Sequence, residues 1–265
     1  MLPVTTDTAA SLARLHVMVV VPTYNELENI QRLIPALLAL DVGATAYLTV
    51  CVVDDNSPDG TGAYVAQLAG SDDRVEVIRR PGKLGLGTAH IAGMRHAIAQ
   101  GAGGVLTMDA DFSHHPRFIP AMIQAFPQAD YIIGSRYVPG GAVLYPLWRR
   151  LLSRAANTFA RLTLGLSAHD CTGAFRLYRP NVLQSIDLDH IFSNGYSFLI
   201  EVLAGIQARG WKVKEVPIIF EDRVYGSSKI SQREIYKAIY TCIRLLARRL
   251  TGSQKRTEPV TARSK

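Results

Sequence analysis

The feature that most constrains the fold is a series of short apolar runs rich in β-branched residues, each of which ends abruptly in a polar loop. Runs of this length and composition are typical of strands buried on both faces of a sheet. They occupy residues 16–21, 48–53, 75–78, 105–108 and 131–133. Between them, apolar residues recur at helical spacing in segments 29–40, 61–69 and 88–99. This alternation predicts a parallel, doubly wound α/β sheet.

The second half of the chain has a different pattern. It predicts helices over residues 148–164 and 196–207, a strand over 213–220 and a last amphipathic helix over 235–250. A chain of 265 residues can form one substantial domain with a large core. We therefore expect a single domain over residues 16–250, preceded by an N-terminal tail (1–15) and followed by a disordered basic tail (251–265).

Cysteine usage and hydropathy bound the cellular setting. The three cysteines, Cys51, Cys171 and Cys242, are widely separated, a spacing that indicates neither a disulfide framework nor a zinc site. This favours a reducing, cytoplasmic compartment. The start of the chain lacks a signal-peptide pattern, and no run reaches the roughly 18 to 20 apolar residues of a membrane-spanning helix. We expect a soluble protein or one bound to a membrane surface.

The net charge of +7 predicts attraction to polyanions, which include nucleic acid, phosphorylated substrates and anionic lipid. A basic nucleic-acid-binding module is therefore one interpretation. It is disfavoured because the basic residues lack interleaved aromatic side chains on which bases would stack. Acidic residues at the strand ends would also repel phosphate in the absence of a metal. We expect no nucleic-acid partner.

Polar residues that directly follow the predicted strands are the candidates for chemistry, because ligands of open α/β sheets bind outside the carboxyl ends of the strands. The first strand is followed by Pro-Thr-Tyr-Asn-Glu (22–26), and the second by a segment, 54–61, that begins Asp-Asp-Asn. A carboxylate there can accept hydrogen bonds from the N–H edge of a nucleobase, and Tyr24 can pack beside it. The alternative is that the acidic residues only cap the next helix and turn the chain.

Two acidic residues, Asp109 and Asp111, follow the fourth predicted strand. Their spacing on an extended segment lets both carboxylates approach one hard divalent cation together with a diphosphate. Acids at the end of a buried strand are costly unless they are solvated, paired or metal-bound, which favours a functional role. His114 and His115 are poorer ligand candidates, because Mg²⁺ prefers oxygen and the following Pro116 indicates a turn.

Taken together, these segments resemble glycosyltransferase family 2 and, within it, the dolichyl- and polyprenyl-phosphate mannose synthases. The resemblance extends over residues 17–243, and its specificity comes from the order and spacing of several motifs. The motifs are Val-Pro-Thr-Tyr-Asn-Glu (21–26), Val-Val-Asp-Asp-Asn-Ser-Pro-Asp-Gly-Thr (52–61), Gly-Leu-Gly-Thr-Ala (85–89), Met-Asp-Ala-Asp-Phe-Ser-His (108–114), Gly-Ser-Arg-Tyr (134–137), Asp-Cys-Thr-Gly-Ala-Phe-Arg (170–176) and Arg-Val-Tyr-Gly-Ser-Ser-Lys (223–229).

The resemblance implies a GT-A fold, in which a Rossmann-like, mostly parallel sheet is flanked by helices, and a bound Mg²⁺ or Mn²⁺. Asp109 and Asp111 are expected at the metal, with Asp111 the more direct ligand. Family members often carry Gln where this chain has Ser113, so the Ser113 hydroxyl or a water is expected as a further ligand. Arg136 and Arg150 are expected to bind the acceptor phosphate and, with Asp111, to form the catalytic set. The donor-binding residues implied are Pro22, Tyr24, Glu26, Val53, Asp55, Asp109, Ala110, Arg223 and Lys229.

The activity implied by the resemblance is inverting transfer of mannose from GDP-mannose to a polyprenyl phosphate. Glucosyl- and N-acetylhexosaminyltransferases that act on polyprenyl phosphate share most of the motifs, so these donors stay open as alternatives. A processive polysaccharide synthase is disfavoured because the Gln-x-x-Arg-Trp motif is absent from the chain. Because the implied acceptor is a membrane lipid, the protein is expected to work on the cytoplasmic face of a membrane. A membrane-protein partner is left open.

The last predicted helix offers a route to the lipid substrate. It carries Lys237, Arg244, Arg248 and Arg249 beside an apolar face. Such a helix can lie on an anionic bilayer. The alternative is that its apolar face packs on the core of the domain, and the two arrangements are compatible if the basic residues point outward.

Overall fold

The computed structural model of the protein describes residues 14–144, 146–221 and 232–251. The predicted tails therefore lie almost entirely outside the described residues, as do Arg223 and Lys229. The strands are β1 Leu15–Thr23, β2 Ala46–Asp54, β3 Val75–Arg79, β4 Gly104–Thr107, β5 Tyr131–Ser135, β6 Ala142–Val143, β7 Arg176–Tyr178, β8 Val213–Pro217 and β9 Ile219–Phe220. The helices are α1 Leu27–Leu38, α2 Thr61–Ala69, α3 Leu86–Ala99, α4 Ile119–Ala125, α5 Leu147–Leu164, α6 Pro180–Ser185, α7 Tyr196–Ala208 and α8 Gln232–Leu250.

Seven of the strands form one mostly parallel sheet in the order β3-β2-β1-β4-β7-β5-β8. Strand β7 is the exception, because it runs antiparallel to both of its neighbours, β4 and β5. The short strands β6 and β9 pair with each other in a second, two-stranded sheet. This architecture confirms the predicted parallel α/β sheet flanked by helices.

The alternation of side chains along β1 explains why helices cover both faces of the sheet. Val17, Val19 and Val21 belong to one buried cluster, which includes the apolar residues of α1 and α4. Met18 and Val20 point to the other face, where they join a cluster built from α3, α5, α7 and α8. Successive strand residues point to opposite faces, so a strand buried on both sides reads as an unbroken apolar run.

Helices α5, α7 and α8 pack together on one side of the domain, and α8 has two faces. Cys242 and Leu245 of α8 are buried in the core, whereas Tyr240 and Ile243 are exposed. The alternative that α8 packs on the core is therefore correct for one face, and the other face is left on the surface. Among the described residues, no helix is long and apolar enough to cross a membrane.

The sequence-based prediction was wrong for the segment 213–220, which was expected to form one strand. The structure divides it at Pro217 and Ile218 into β8 and β9, which belong to different sheets. Proline cannot donate a ladder hydrogen bond, so a strand commonly ends at such a position. The sequence analysis also missed β7, α4 and α6, which have only 3, 7 and 6 residues.

Candidate active site

A cavity of about 300 Å³ opens at the carboxyl ends of β1, β2 and β4. Seven of the residues expected at a donor or metal site line it together, although they come from three separate segments of the chain. They are Pro22, Tyr24, Glu26, Asp55, Asp109, Ala110 and Asp111. Further lining comes from the last residue of β1, from the loop before α3 and the first turn of that helix, and from the first residue of α7. These additional residues are Thr23, Lys83, Gly85, Leu86, Ala89 and Tyr196.

The loops that follow β1 and β2 hold each other in place at one wall of the cavity. The main-chain N–H of Leu27 donates to Asp59 Oδ2 at 3.0 Å, and the N–H of Glu26 donates to Thr61 Oγ1 at 3.2 Å. Burial alone would raise the pKa of Asp59, but the hydrogen bonds from Thr61 and Leu27 outweigh it and lower that pKa. The capping interpretation concerned residues 54–56, but it is Asp59, expected only to turn the chain, whose carboxylate accepts the first N–H groups of α1 and α2.

Asp55 lies in the cavity wall, where Arg80 holds its carboxylate. The Arg80 guanidinium donates from Nε to Asp55 Oδ1 at 2.5 Å and from Nη2 to Asp55 Oδ2 at 2.9 Å. A third donation, from Arg80 Nη1 to Thr88 Oγ1 at 2.9 Å, ties the arginine to α3. A planar two-point contact of this kind fixes the plane of the carboxylate as well as its position. Asp55 can accept from a nucleobase only with the lone pairs that Arg80 leaves available.

Lys83 and Tyr24 form the outer edge of the same wall. The Lys83 ammonium lies over the Tyr24 ring, with Nζ 4.2 Å from the ring centroid. An ammonium over the face of an aromatic ring is attracted by the ring quadrupole. The edge therefore combines a cation, a ring face and a phenol hydroxyl close to the Asp55 carboxylate.

Asp111 lies beyond the end of β4, on the other side of β1 from Asp55. The chain that follows it donates hydrogen bonds to its carboxylate. The N–H and the hydroxyl of Ser113 both donate to Asp111 Oδ1, at 3.1 and 2.5 Å. This return of the chain requires Phe112 to adopt a left-handed conformation with φ of +61°. Such a conformation is strained for a bulky residue and tends to occur at functional sites. Ser113 therefore supports Asp111, and its expected role as a metal ligand stays a prediction.

His114 supports Asp109 through a hydrogen bond to its main chain. Its Nδ1 accepts the main-chain N–H of Asp109 at 3.1 Å, and its ring stacks on Phe175. Burial lowers the pKa of His114 to about 4, so the ring is neutral near pH 7 and can act as this acceptor. The structure thus gives His114 a supporting position beside Asp109, and the choice of the carboxylates as metal ligands stays a prediction.

A divalent cation suits this end of the cavity on the chemistry of the side chains. Mg²⁺ is commonly bound through one or two carboxylates together with substrate phosphates and water. Asp109 and Asp111 supply two carboxylates beside an open cavity. Within the described parts of the chain, no group of three or more His, Cys, Asp or Glu side chains is arranged to hold a metal. Substrate phosphates and water are the ligands that commonly complete such a site.

Arg136 forms a buried ion pair with Asp170. Its Nε and Nη2 each donate to one oxygen of the Asp170 carboxylate, both at 2.7 Å. Asp170 is 0% exposed and Arg136 is 9% exposed. Burial alone would raise the pKa of Asp170, but the charge and hydrogen bonds of Arg136 outweigh it and lower that pKa. The guanidinium also lies between the rings of Tyr137 and Phe220, 5.2 Å from each centroid.

Several expected site residues lie away from the cavity lining. Val53 is fully buried in the core and is not part of the lining. Of the described residues, Arg136 and Arg150 are not part of the lining, and Arg150 is exposed on the first turn of α5. The expected positions of Arg223 and Lys229 fall outside the described residues.

Sequence reasoning missed Arg80, Lys83, Asp170 and Tyr196 as residues of the site or its support. The strand–loop logic could have found Arg80 and Lys83, because they follow β3 just as Asp55 follows β2. Asp170 begins the motif Asp-Cys-Thr-Gly-Ala-Phe-Arg, which carried the resemblance but was given no role. Tyr196 carried no comparable signal, since only the packing of α7 brings it to the cavity.

Solved structures with a similar fold include two phosphoglycerate-linked sugar synthases. Glucosyl-3-phosphoglycerate synthase from Mycobacterium tuberculosis, in complex with Mn²⁺, UDP and glucosyl-3-phosphoglycerate, superposes with a TM-score of 0.59 at 20% identity. The match covers 89% of this chain and 80% of that one. Mannosyl-3-phosphoglycerate synthase from Rubrobacter xylanophilus also gives a TM-score of 0.59 at 20% identity, over 93% of this chain and 78% of that one. These matches confirm the predicted GT-A fold.

Two curated proteins are similar to this chain at higher sequence identity. Polyprenol monophosphomannose synthase from Mycolicibacterium smegmatis is 44% identical over 226 residues, which cover 84% of each chain. Undecaprenyl-phosphate mannosyltransferase from Micrococcus luteus is 39% identical over 244 residues, or 91% of this chain and 99% of that one. Residues 18–187 match the family described as Glycosyl transferase family 2. These similarities, together with the GT-A fold and the acidic cavity, identify the chain as a member of glycosyl transferase family 2.

Proposed function

We propose that this protein transfers mannose from GDP-mannose to a polyprenyl phosphate and produces a β-linked polyprenyl phosphomannose. The observation that carries the proposal is that one cavity is lined both by Tyr24 and Asp55 and by the acidic pair Asp109 and Asp111. We assign Tyr24 and Asp55 to the nucleobase. Its support from relatives is the mannosyl transfer to polyprenyl carriers that the names of the M. smegmatis and M. luteus proteins describe. The cavity thus has a place for each half of a nucleotide sugar.

The acidic end of the cavity would hold Mg²⁺ or Mn²⁺ through Asp109 and Asp111. This proposal is supported by the solved M. tuberculosis relative, which was crystallised with Mn²⁺ or Mg²⁺ and UDP. A divalent cation at this end supplies charge that stabilises the departing nucleoside diphosphate. Ser113 holds Asp111 and His114 holds Asp109 through the hydrogen bonds described above.

Transfer to a phosphate requires little base catalysis, because the attacking oxygen is already anionic at pH 7. The main demand on the protein is to hold two phosphates of like charge close together. We assign Arg136 and Arg150 to the acceptor phosphate, and Arg223 and Lys229 to the donor. In-line attack on the anomeric carbon of an α-linked donor inverts its configuration and gives the β-linked product.

We expect GDP-mannose to be preferred over UDP-glucose and UDP-N-acetylglucosamine. Guanine offers two N–H donors to the Asp55 carboxylate, whereas uracil offers one. A polar group left unpaired in the site costs about 1–3 kcal/mol, or roughly tenfold to a hundredfold in affinity. The measurement is a competition with equal donor concentrations and a membrane extract as acceptor source, with the lipid product identified by mass. A predominantly glucosylated or N-acetylhexosaminylated lipid would assign the protein to the alternative donor class.

We further propose that the enzyme works while bound peripherally to the cytoplasmic face of a membrane. The α5 surface exposes Leu147, Trp148 and Leu151, with Trp148 67% exposed, and the chain from 147 to 164 contains four Arg and no acidic residue. Helix α8 packs beside α5 and exposes Tyr240 and Ile243. Apolar side chains beside the arginines of α5, a helix with no acidic residue, complement the acyl boundary and anionic headgroups of a bilayer.

Replacing Trp148 and Leu151 by Ser is expected to lower binding to phosphatidylglycerol vesicles by at least about tenfold, because each buried apolar side chain contributes about 1.5–3 kcal/mol. Vesicle sedimentation at rising salt measures both the apolar and the screened ionic contribution. The matched control is Tyr47→Ser, which alters a partly exposed aromatic residue at the start of β2. Equal sedimentation of all three proteins would contradict the proposal that the α5 surface binds the membrane.

Arg244 and Arg248 of α8 are unsuitable probes of membrane binding, because both pack on the Phe192 ring.

A further inference from the structure

Asn157 is a buried amide in the middle of α5, a helix whose outer surface is largely exposed. It is 2% exposed. Asparagine is a poor residue for a helix interior, since it competes with the backbone for hydrogen bonds. Here both ends of its amide are used, which offsets that cost. Oδ1 accepts the main-chain N–H of Cys171 at 2.7 Å, and Nδ2 donates to Ser153 O at 2.8 Å.

The hydroxyl of Thr172 joins this amide to Arg136. Asn157 Nδ2 lies 3.2 Å from Thr172 Oγ1, and Oδ1 lies 3.4 Å from the same hydroxyl. Thr172 Oγ1 in turn accepts a hydrogen bond from Arg136 Nη2 at 2.9 Å. The Asn157 amide therefore fixes both the main chain at residue 171 and the hydroxyl that contacts the guanidinium. The same loop starts at Asp170, the buried partner of Arg136.

Helix α5 supports Arg136 from a second side as well. The Ser153 hydroxyl and the Tyr137 hydroxyl lie 2.6 Å apart, within hydrogen-bond distance. The Tyr137 ring lies against the Arg136 guanidinium. Ser153 is one helical turn before Asn157, so the two residues lie on the same face of α5. This face holds Arg136 between the residue 170–173 loop and the Tyr137 ring.

We propose that Asn157 is a positioning residue for acceptor binding: through Thr172 it orients the Arg136 guanidinium toward the phosphate of the incoming lipid. The proposal rests on the proposed function, which assigns Arg136 to that phosphate. It also gives α5 a second role, because the helix with the exposed apolar surface is the one that orients the acceptor-binding arginine. Bilayer contact and acceptor binding are therefore built on the same helix.

The test compares Asn157→Ala and Thr172→Val with wild type in the transfer assay, with undecaprenyl phosphate in detergent as acceptor. Loss of one oriented hydrogen bond should raise the KM for the acceptor by about tenfold. The affinity for GDP, measured by calorimetry, should change by less than about twofold, because Asn157 and Thr172 do not line the donor cavity. Thr172→Ser retains the hydroxyl and should restore an acceptor KM close to that of wild type.

The matched control is Gln207→Ala. The Gln207 amide of α7 also holds the segment that follows α5, since it accepts from Ser167 N at 2.7 Å and donates to Gly165 O at 2.6 Å, but these contacts do not involve Arg136. The Gln207→Ala change should lower the melting temperature and leave the acceptor KM unchanged. The proposal is overturned if Asn157→Ala and Thr172→Val change stability alone, or if they weaken GDP and acceptor binding equally. If Asn157→Ala fails to fold, Thr172→Val decides. Failure of the proposed function is distinguishable, because wild type would then form no lipid product.

Discussion

Replacing Asp111 by Asn is expected to abolish glycosyl transfer while leaving the fold intact. Asn has the same size, and its amide oxygen can still accept from the Ser113 N–H and hydroxyl that hold Asp111. What is lost is the negative charge that a hard cation requires. Residues outside the ligand shell of a metal already contribute 10–100-fold, so removing a direct ligand should cost at least about a hundredfold in activity. Activity and melting temperature are measured together.

The control for this variant is Ser113→Ala, which removes one donor to Asp111 and keeps the carboxylate. We expect a smaller loss of activity, because the main-chain N–H of Ser113 still holds Asp111 Oδ1. Calorimetric titration of Mn²⁺ in the presence of GDP separates the two variants by metal affinity rather than by turnover. A folded Asp111→Asn protein with full activity would refute the assignment. A Ser113→Ala protein that loses metal affinity as severely as Asp111→Asn would identify the hydroxyl as a ligand.

The parts of the fold and site that could be predicted from sequence are those encoded within a short segment. β1 and β2 are buried on both faces, so their composition alone identifies them and places the residues that follow at one edge of the sheet. Asp55, Asp109 and Asp111 are found by this reasoning without a structure. In contrast, β7 has 3 residues and includes the fully buried Arg176, a composition that does not indicate a strand.

The residues that sequence reasoning missed are those whose role depends on pairing across the fold. Arg80 is 25 positions from Asp55, and only the parallel register of β2 and β3 brings the guanidinium to the carboxylate. Arg136 was predicted to bind a phosphate from its motif, but its contact with Asp170, 34 positions away, follows from the packing of β5 beside the loop before β7. The motif indicated a role for Arg136, but only the structure identifies Asp170 as the carboxylate that it pairs with.

Replacing Arg136 by Ala is expected to destabilise the protein by about 3–5 kcal/mol at pH 7, because it leaves the Asp170 carboxylate buried without its cation. The effect should depend on pH. In wild type the pKa of Asp170 is lowered, so its contribution to stability is present above the unfolded-state pKa and is lost only as the pH falls through the lower folded value. Without the Arg136 side chain, we expect burial to outweigh the remaining main-chain hydrogen bonds and to raise that pKa.

The sign of the pH dependence is therefore opposite in the variant. A carboxyl whose pKa is raised in the folded state binds a proton on folding, so the stability of Arg136→Ala should increase as the pH falls from 7 toward 5, and its deficit relative to wild type should shrink. Urea unfolding at pH 5, 6 and 7 measures the deficit. Asp170→Asn added to Arg136→Ala should remove the pH dependence, because the buried group then carries no titratable proton. Arg74→Ala breaks an exposed ion pair and should unfold like wild type. A deficit that is constant across this pH range would mean that Asp170 stays ionised without the Arg136 side chain, held by its remaining main-chain donors and the nearby charge of Arg176, and would contradict the prediction.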